Sequence, residues 1–169
     1  MKLYILRHAI AEERDESVYP DDSQRPLTAK GKKKMVIIAE NMKAMGIKID
    51  LILTSPYVRA HETARIMVRA FGLEKSRMVL NDNLAPSGFA KDLIAEVNEK
   101  YQAEHLMLVG HEPYLSELIS MLIAGDPSLS IVVKKGGLCC LSIENLVYDK
   151  CAALEWLWVP AQFAKMYRK

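Results

Sequence analysis

Two arginines and two histidines stand where they could share one site. Arg7 and His8 directly follow the apolar run LYIL, and His111 directly follows a second run, LMLVG. Arg59 comes a few residues after a third run, LILT. Short apolar runs of this kind are typical of strands buried inside a parallel sheet, where both faces are covered. Charged and titratable residues at the ends of such strands indicate a function.

The chemistry that suits these four residues is phosphoryl transfer. Arginine offers a planar and always charged fork that matches phosphate oxygens, and helices beginning near Ser55 and Glu112 would add free backbone N–H donors. A neutral imidazole facing phosphorus can attack it at pH 7 while the arginines spread the charge on the oxygens. The pattern therefore predicts a phosphate site in which His8 is the nucleophile.

Each of these residues also has a plain structural interpretation. Arg59 could form a surface ion pair with Glu62, a contact that contributes little to stability. His61 and His105 are better explained as structural, since one adjoins Arg59 on a helix and the other begins a strand. The sequence has no HExxH pair or compact Cys/His/Asp cluster, and the arginines would repel a cation, so we expect neither a metal nor a cofactor.

The elements that must position these residues alternate between strands and helices. Helices are predicted after Thr28, from Ser55 to Gly72, from about Ser87, and after His111. Besides the three apolar runs, strands are predicted at 78–80, 138–143 and 154–158. This order predicts an α/β layered fold with a mostly parallel central sheet flanked by helices. We expect a single domain over residues 1–169, with no insertion long enough to build a lid domain. The carboxyl ends of parallel strands meet at one edge, where ligands bind.

Composition narrows the possible partners. The 169 residues carry a formal net charge of +2 from 23 basic and 21 acidic side chains, which gives no broad field for nucleic acid or an anionic membrane. No apolar stretch approaches the roughly 20 residues of a membrane span, and the opening run stops at Arg7, too early for a signal peptide. The 3 cysteines fit no disulfide framework. These features favour a cytoplasmic location.

Five stretches resemble one known family in their order along the chain. They are LYILRHAIAE, RPLTAKG, LILTSPYVRAHETA, NLAPSG and LMLVGHEPYLSEL, so the resemblance spans roughly residues 2–120. They are similar to the histidine phosphatase superfamily, and most similar to its SixA-type phosphohistidine phosphatase branch. The resemblance implies that His8 is transiently phosphorylated while Arg7, Arg59 and His111 hold the phosphoryl oxygens. It also implies a further phosphate or substrate contact from Arg25, which precedes PLT.

The sequence departs from the superfamily pattern in two places. Ala9 stands where the signature has glycine, and residues 83–86 read NLAP where mutases and broad phosphatases place an acidic proton donor. An alcohol leaving from a phosphate ester needs such an acid, whereas an imidazole nitrogen, with a pKa of about 6.5, is a better leaving group. The missing acid therefore favours a phosphohistidine substrate. Asp82, Glu12 and Glu13 remain possible proton donors.

The sequence thus predicts a metal-independent phosphatase that works through a phosphohistidine intermediate. An open site without a lid suits a phosphorylated histidine displayed on a protein such as a phosphotransfer domain. Two alternatives remain open at this point. One is a phosphatase for small phosphate esters, and the other is a catalytically silent module that binds phosphate or a phosphoprotein.

Overall fold

The computed structural model describes residues 1–162, and a six-stranded sheet forms the centre of this part of the chain. The strands, in chain order, are β1 Lys2–Arg7, β2 Leu51–Thr54, β3 Met78–Leu80, β4 His105–Gly110, β5 Leu138–Ile143 and β6 Ala152–Trp158. Their order across the sheet is β3-β2-β4-β1-β5-β6. The strands β3, β2, β4 and β1 are parallel, whereas β5 is antiparallel to β1 and β6 is antiparallel to β5. The predicted mostly parallel α/β sheet is confirmed.

Helices cover both faces of this sheet. They are α1 Ala29–Ala44, α2 Val58–Phe71, α3 Ala90–Lys100 and α4 Tyr114–Ala124, and short 3-10 turns lie at Asp22–Gln24, Lys75–Arg77 and Asp82–Leu84. Successive side chains of a strand point to opposite faces. Leu3 and Ile5 of β1 therefore pack in the core with α3 and α4, and Tyr4 and Leu6 pack in the core with α1 and α2. The two apolar layers fix β1 between them.

The helix starts differ in part from those predicted. The Thr28 hydroxyl accepts a 2.9 Å hydrogen bond from the Gly31 N–H and caps α1 as expected. In contrast, α2 begins at Val58 rather than Ser55, and α3 begins at Ala90 rather than near residue 87. Ser55 lies three residues before α2, where its hydroxyl accepts from the Tyr57 N–H at 3.3 Å and also contacts a histidine of the site described below.

The turn that follows β1 is held by the segment that precedes β5. The Gly136 N–H contacts the carbonyl oxygens of Arg7 and His8 at 3.1 and 3.0 Å, and the Arg7 N–H donates to the Gly137 oxygen. Gly136 has a φ of +76°, a left-handed conformation that glycine adopts without strain. The end of β1 is thus fixed where the predicted site residues begin.

None of the helices in residues 1–162 has the length and apolar character that a membrane crossing needs.

Candidate active site

The register between β1 and β4 brings two histidines side by side. Arg7 pairs with Gly110 across the two strands, and the His8 N–H donates a 3.1 Å hydrogen bond to the Gly110 carbonyl. His8 and His111 each follow these paired positions by one residue, and their ring centroids lie 5.1 Å apart. Both side chains are buried, with 5% and 2% of their surface exposed. The predicted meeting of these strand ends is therefore observed.

The His8 ring is held in one tautomer. Its Nδ1 atom lies 2.7 Å from the Ala9 carbonyl oxygen, and because a carbonyl only accepts, Nδ1 must carry the proton. In the neutral ring, the Nε2 atom then has the free electron pair. Burial lowers the pKa of His8 to about 3, the bond to Ala9 opposes that shift, and the charges of Arg59 and Arg7 add to it. The ring is therefore neutral at pH 7, with Nε2 as its nucleophilic atom.

Ala9, whose carbonyl orients His8, is itself bonded to α2. Its N–H donates a 3.0 Å hydrogen bond to the Thr63 hydroxyl, and that hydroxyl donates at 2.7 Å to the Arg59 carbonyl. Thr63 is fully buried, and Ala9 is only 3% exposed. The extra methyl group of Ala9 is accommodated beside His8, where the superfamily signature has glycine. One short chain of bonds thus joins the nucleophile to the helix that carries Arg59.

His111 is positioned by residues that precede α2. Its Nε2 atom lies 2.8 Å from the hydroxyl of the fully buried Ser55. The Tyr57 ring packs edge-on against the imidazole, with 5.2 Å between centroids. Burial, followed by the influence of His8 and Arg59, lowers the pKa of His111 to about 3, so this ring is neutral as well.

The two predicted arginines flank this histidine pair. The Arg59 side chain is 5% exposed, and its Nη1 and Nη2 atoms donate to the carbonyl oxygen and to Oδ2 of Asp22 at 2.7 and 2.8 Å. The Nη1 of Arg7 donates at 2.8 Å to the Val133 carbonyl oxygen. Burial lowers the pKa of both guanidinium groups, but arginine remains charged in proteins. Two cations thus lie beside two neutral imidazoles.

Three polar atoms of this cluster are buried and have no hydrogen-bond partner among residues 1–162. They are Nε of Arg7, Nε of Arg59 and Nδ1 of His111. Buried polar atoms of folded proteins are nearly always bonded, and each such group deserves an explanation. N–H groups of this kind are the donors that phosphate oxygens accept from. The cluster therefore has the donors for a tetrahedral oxyanion beside His8.

Arg25 is connected to these groups through a carboxylate. Its Nε atom contacts Oδ1 of Asp22 at 2.9 Å, and its Nη1 atom donates at 2.7 Å to the Glu12 carbonyl. Asp22 in turn contacts Arg59, so the carboxylate bridges the two arginines. Arg25 is thus joined to the site through Asp22.

The three acids proposed from the sequence as proton donors differ from Asp22 in their exposure and contacts. Asp82 is exposed in the turn after β3, Glu13 is exposed, and Glu12 meets Arg25 through its backbone carbonyl. The carboxylate that touches the site arginines is Asp22, which the sequence argument missed. Its spacing of three residues from Arg25 in DSQR was the signal that could have found it.

Another carboxyl group adjoins His111. The Ser116 hydroxyl lies 2.5 Å from Oε2 of Glu112, and Oε1 is buried without a partner in the part of the chain that the structure describes. Burial raises the pKa of Glu112, while Ser116 and the charge of Arg7 oppose that shift.

The other two histidines lie away from the cluster. His105 stands at the first residue of β4, and its Nδ1 atom contacts the Asp50 carboxylate at 3.1 Å. This contact is at the opposite end of β4 from His111. His61 is half-buried on α2, where burial lowers its pKa and the charge of Arg65 lowers it further.

The fold and these contacts define an α/β protein with a cluster of two histidines and two arginines at the carboxyl edge of its parallel strands. The model of the histidine phosphatase superfamily (branch 1) matches residues 3–85. The chain is 31% identical over 130 residues to the phosphohistidine phosphatase SixA homolog of Haemophilus influenzae, covering 72% of this chain and 77% of that protein. The chain belongs to the histidine phosphatase superfamily, and its relatives place it with the SixA-type branch.

Two further similarities agree with this assignment. An uncharacterized protein of Picosynechococcus is 36% identical over 141 residues, which is 82% of each chain. The solved structure of the protein histidine phosphatase SixA complexed with tungstate has a TM-score of 0.79 at 22% identity, covering 96% of this chain and 99% of that one. At this identity the structural match supports the fold alone.

Proposed function

We propose that this protein is a metal-independent phosphatase that removes phosphate from phosphohistidine on another protein, with His8 as the transiently phosphorylated residue. The observation that carries the mechanism is the 2.7 Å contact between Nδ1 of His8 and the Ala9 carbonyl. That contact directs the lone pair of the neutral ring onto Nε2. A nucleophile in a fixed tautomer needs no proton removed before it attacks.

The reaction takes two displacements. In the first, Nε2 of His8 forms a bond to phosphorus while the P–N bond of the substrate breaks. The departing ring keeps that electron pair and carries a proton from solvent on its other nitrogen, so it leaves as neutral imidazole. In the second, the oxygen of a water molecule bonds to phosphorus, the bond to Nε2 breaks, and the water proton passes to solvent. The products are inorganic phosphate, the dephosphorylated partner and neutral His8.

The cations of the site stabilise the charge that grows on the phosphoryl oxygens. Arg7 and Arg59 are held by backbone and carboxylate partners before the substrate arrives, so little reorganisation is required in the transition state. His111, held by Ser55, supplies a further N–H from its ring. The same cations would repel a metal ion, and the proposed chemistry uses none.

The charge state of Asp22 supports the proposed substrate class. Burial raises the pKa of Asp22, but its bonds to Arg25 and the charges of Arg59 and Arg25 outweigh burial and leave the pKa below its usual value. Asp22 is therefore ionised at pH 7 and a poor proton donor. An imidazole leaving group with a pKa of about 6.5 tolerates this better than an alcohol, which must be protonated as it leaves. The name of the Haemophilus influenzae relative agrees with such a substrate.

Substrate profiling tests this proposal. Wild type, His8→Ala and the control His61→Ala are incubated with a protein phosphorylated on histidine and with small phosphomonoesters, and released phosphate is measured. We expect the phosphohistidine protein to be turned over faster than the esters, His8→Ala to be inactive, and His61→Ala to match wild type. Equal or faster turnover of the esters would assign the enzyme to small metabolites. Phosphate release that survives His8→Ala would contradict the mechanism, and binding without any release would indicate the silent module.

A further inference from the structure

The loop between β1 and α1 contributes a carboxylate to the site. Asp22 begins the 3-10 turn Asp22–Gln24, and this turn packs against α2. Oδ2 of Asp22 and its carbonyl oxygen both accept from Arg59, and Oδ1 accepts from Arg25. Asp22 therefore holds both terminal nitrogens of one arginine while it contacts a second.

These bonds divide the donors of Arg59 into two groups. A guanidinium group has five N–H donors in a rigid fork. Asp22 takes one donor from Nη1 and one from Nη2, which leaves one on each of these atoms and the buried, unpartnered Nε. Rotation of the fork would break two bonds at once. The direction in which the remaining donors point is thus set by Asp22.

The environment separates this contact from an ordinary surface ion pair. Exposed pairs contribute little to stability because solvent and salt screen them. The Arg59 side chain is 5% exposed, its guanidinium carbon lies 5.0 Å from the centroid of the Tyr57 ring, and two bonds reach it from one residue. Asp22 is also ionised between two guanidinium groups, so it offsets their mutual repulsion. Its contribution is to geometry and charge, and it does not supply a proton.

We propose that Asp22 is the positioning residue of this site: it holds Arg59 so that the free N–H groups of the fork face the phosphoryl oxygens. This inference rests on the proposed function, because it names the residue that prepares the phosphate cage for His8. Asp22 acts through Arg59 and touches no reacting atom. Losing it should weaken the binding of a phosphate analogue as well as slow turnover.

Two substitutions and one matched control test the role of Asp22. Asp22→Ala removes the carboxylate, and Asp22→Asn keeps the shape and loses the charge. Asp21→Asn alters the neighbouring acid, whose carboxylate accepts from Ser23 and Gln24. Vanadate is the probe, and its inhibition constant is measured together with kcat, KM and the melting temperature. We expect Asp22→Ala to raise the inhibition constant at least tenfold and Asp22→Asn at least threefold. Asp21→Asn should remain within twofold of wild type.

A double-mutant cycle asks whether Asp22 acts through Arg59. In an Arg59→Ala background, Asp22→Ala should change the vanadate inhibition constant less than twofold, since the residue it positions is gone. In an Arg25→Ala background the effect of Asp22→Ala should persist. Full additivity with Arg59→Ala, or an Asp22→Asn protein that binds vanadate as wild type does, would overturn the proposal.

The outcomes also separate this inference from the proposed function. If wild type releases phosphate without His8, the proposed function fails whatever Asp22 does. If wild type works through His8 and both Asp22 variants bind vanadate normally, only the role of Asp22 fails. Should Asp22→Ala unfold, the result for the near-isosteric Asp22→Asn decides the question.

Discussion

His8 and His111 leave two neighbouring parallel strands one residue past a paired position, and their ring centroids lie 5.1 Å apart. Burial is the largest influence on each ring, and both pKa values are lowered to about 3. The site therefore places two neutral imidazoles beside two arginines. This arrangement suits an anion and affects stability as well as chemistry.

The first prediction concerns stability in acid. The unfolded chain binds protons at these two histidines below about pH 6.5, whereas the folded protein resists them down to about pH 3. The contribution of these histidines to the free energy of unfolding is therefore fully present above pH 6.5. It is lost as the pH falls from about 6.5 to about 3, by up to about 1.4 kcal/mol per pH unit for each histidine. Urea unfolding at pH 7 and pH 5 in phosphate-free buffer should show a smaller loss for His8→Asn/His111→Asn than for wild type. Equal losses would contradict the assigned neutral state.

The second prediction concerns the hydroxyl that fixes the Ala9 peptide. Thr63→Val keeps the shape but leaves the buried Ala9 N–H without its 3.0 Å partner, which costs about 1–3 kcal/mol. Because the Ala9 carbonyl sets the tautomer of His8, kcat should fall as well. Thr63→Ser retains the hydroxyl and serves as the control. Chemical unfolding and steady-state kinetics together check this prediction. An unchanged kcat in a destabilised Thr63→Val protein would show that the bond between Ala9 and Thr63 supports stability but not catalysis.

The third prediction concerns Ser55. Ser55→Ala removes the 2.8 Å partner of His111 Nε2, so the imidazole is no longer held in one orientation. We expect vanadate inhibition to weaken about tenfold, which corresponds to about 1.4 kcal/mol. The control is Ser116→Ala, because the Ser116 hydroxyl contacts Glu112 and its removal leaves the bond between Ser55 and His111 intact. Matching inhibition constants for wild type and Ser55→Ala would mean that His111 needs no such support.

The fourth prediction concerns the contact between α1 and the loop that follows β1. A Cβ atom on Gly31 would lie 2.1 Å from the Ile10 carbonyl oxygen, a backbone atom that the Thr28 N–H also contacts. Gly31→Ala must therefore displace the loop or the helix, and overpacking of this kind costs about 1–3 kcal/mol. The exposed substitution Lys30→Ala should stay within about 0.5 kcal/mol of wild type. A thermal melt of Gly31→Ala that overlays wild type would show that this approach is not tight.

The sequence predicts the framework of this site because the ends of buried strands can be recognised from local residue patterns. The apolar runs before His8 and His111 define two buried strands, and parallel strands bring their carboxyl ends to one edge. The sheet order and the antiparallel placement of β5 and β6 are not visible in this way, since they depend on pairing between distant segments. Arg59 is predicted at the same edge because it follows the LILT run by a few residues, and it lies on α2 rather than directly at a strand end.

What the sequence argument missed are partners of the site residues. Asp22 and Arg59 are 37 residues apart, and their bond forms only because the loop after β1 packs on α2. Ser55 was interpreted as a helix cap, a role that its residue type and the following proline favour. In the structure the Ser55 hydroxyl contacts both His111 and the Tyr57 N–H, and α2 begins three residues later. Local patterns carry no signal for such long-range bonds.

The central claim is that Nε2 of His8 accepts the phosphoryl group. Wild-type protein is mixed with a phosphohistidine protein, quenched in alkali within a few milliseconds, and the phosphorylated position is located by mass spectrometry, with His111→Asn as a companion that retains His8. We predict a phosphoryl group on His8, stable in alkali and labile in acid, that forms before inorganic phosphate is released. Phosphate released at the full rate while His8 stays unmodified would contradict the account.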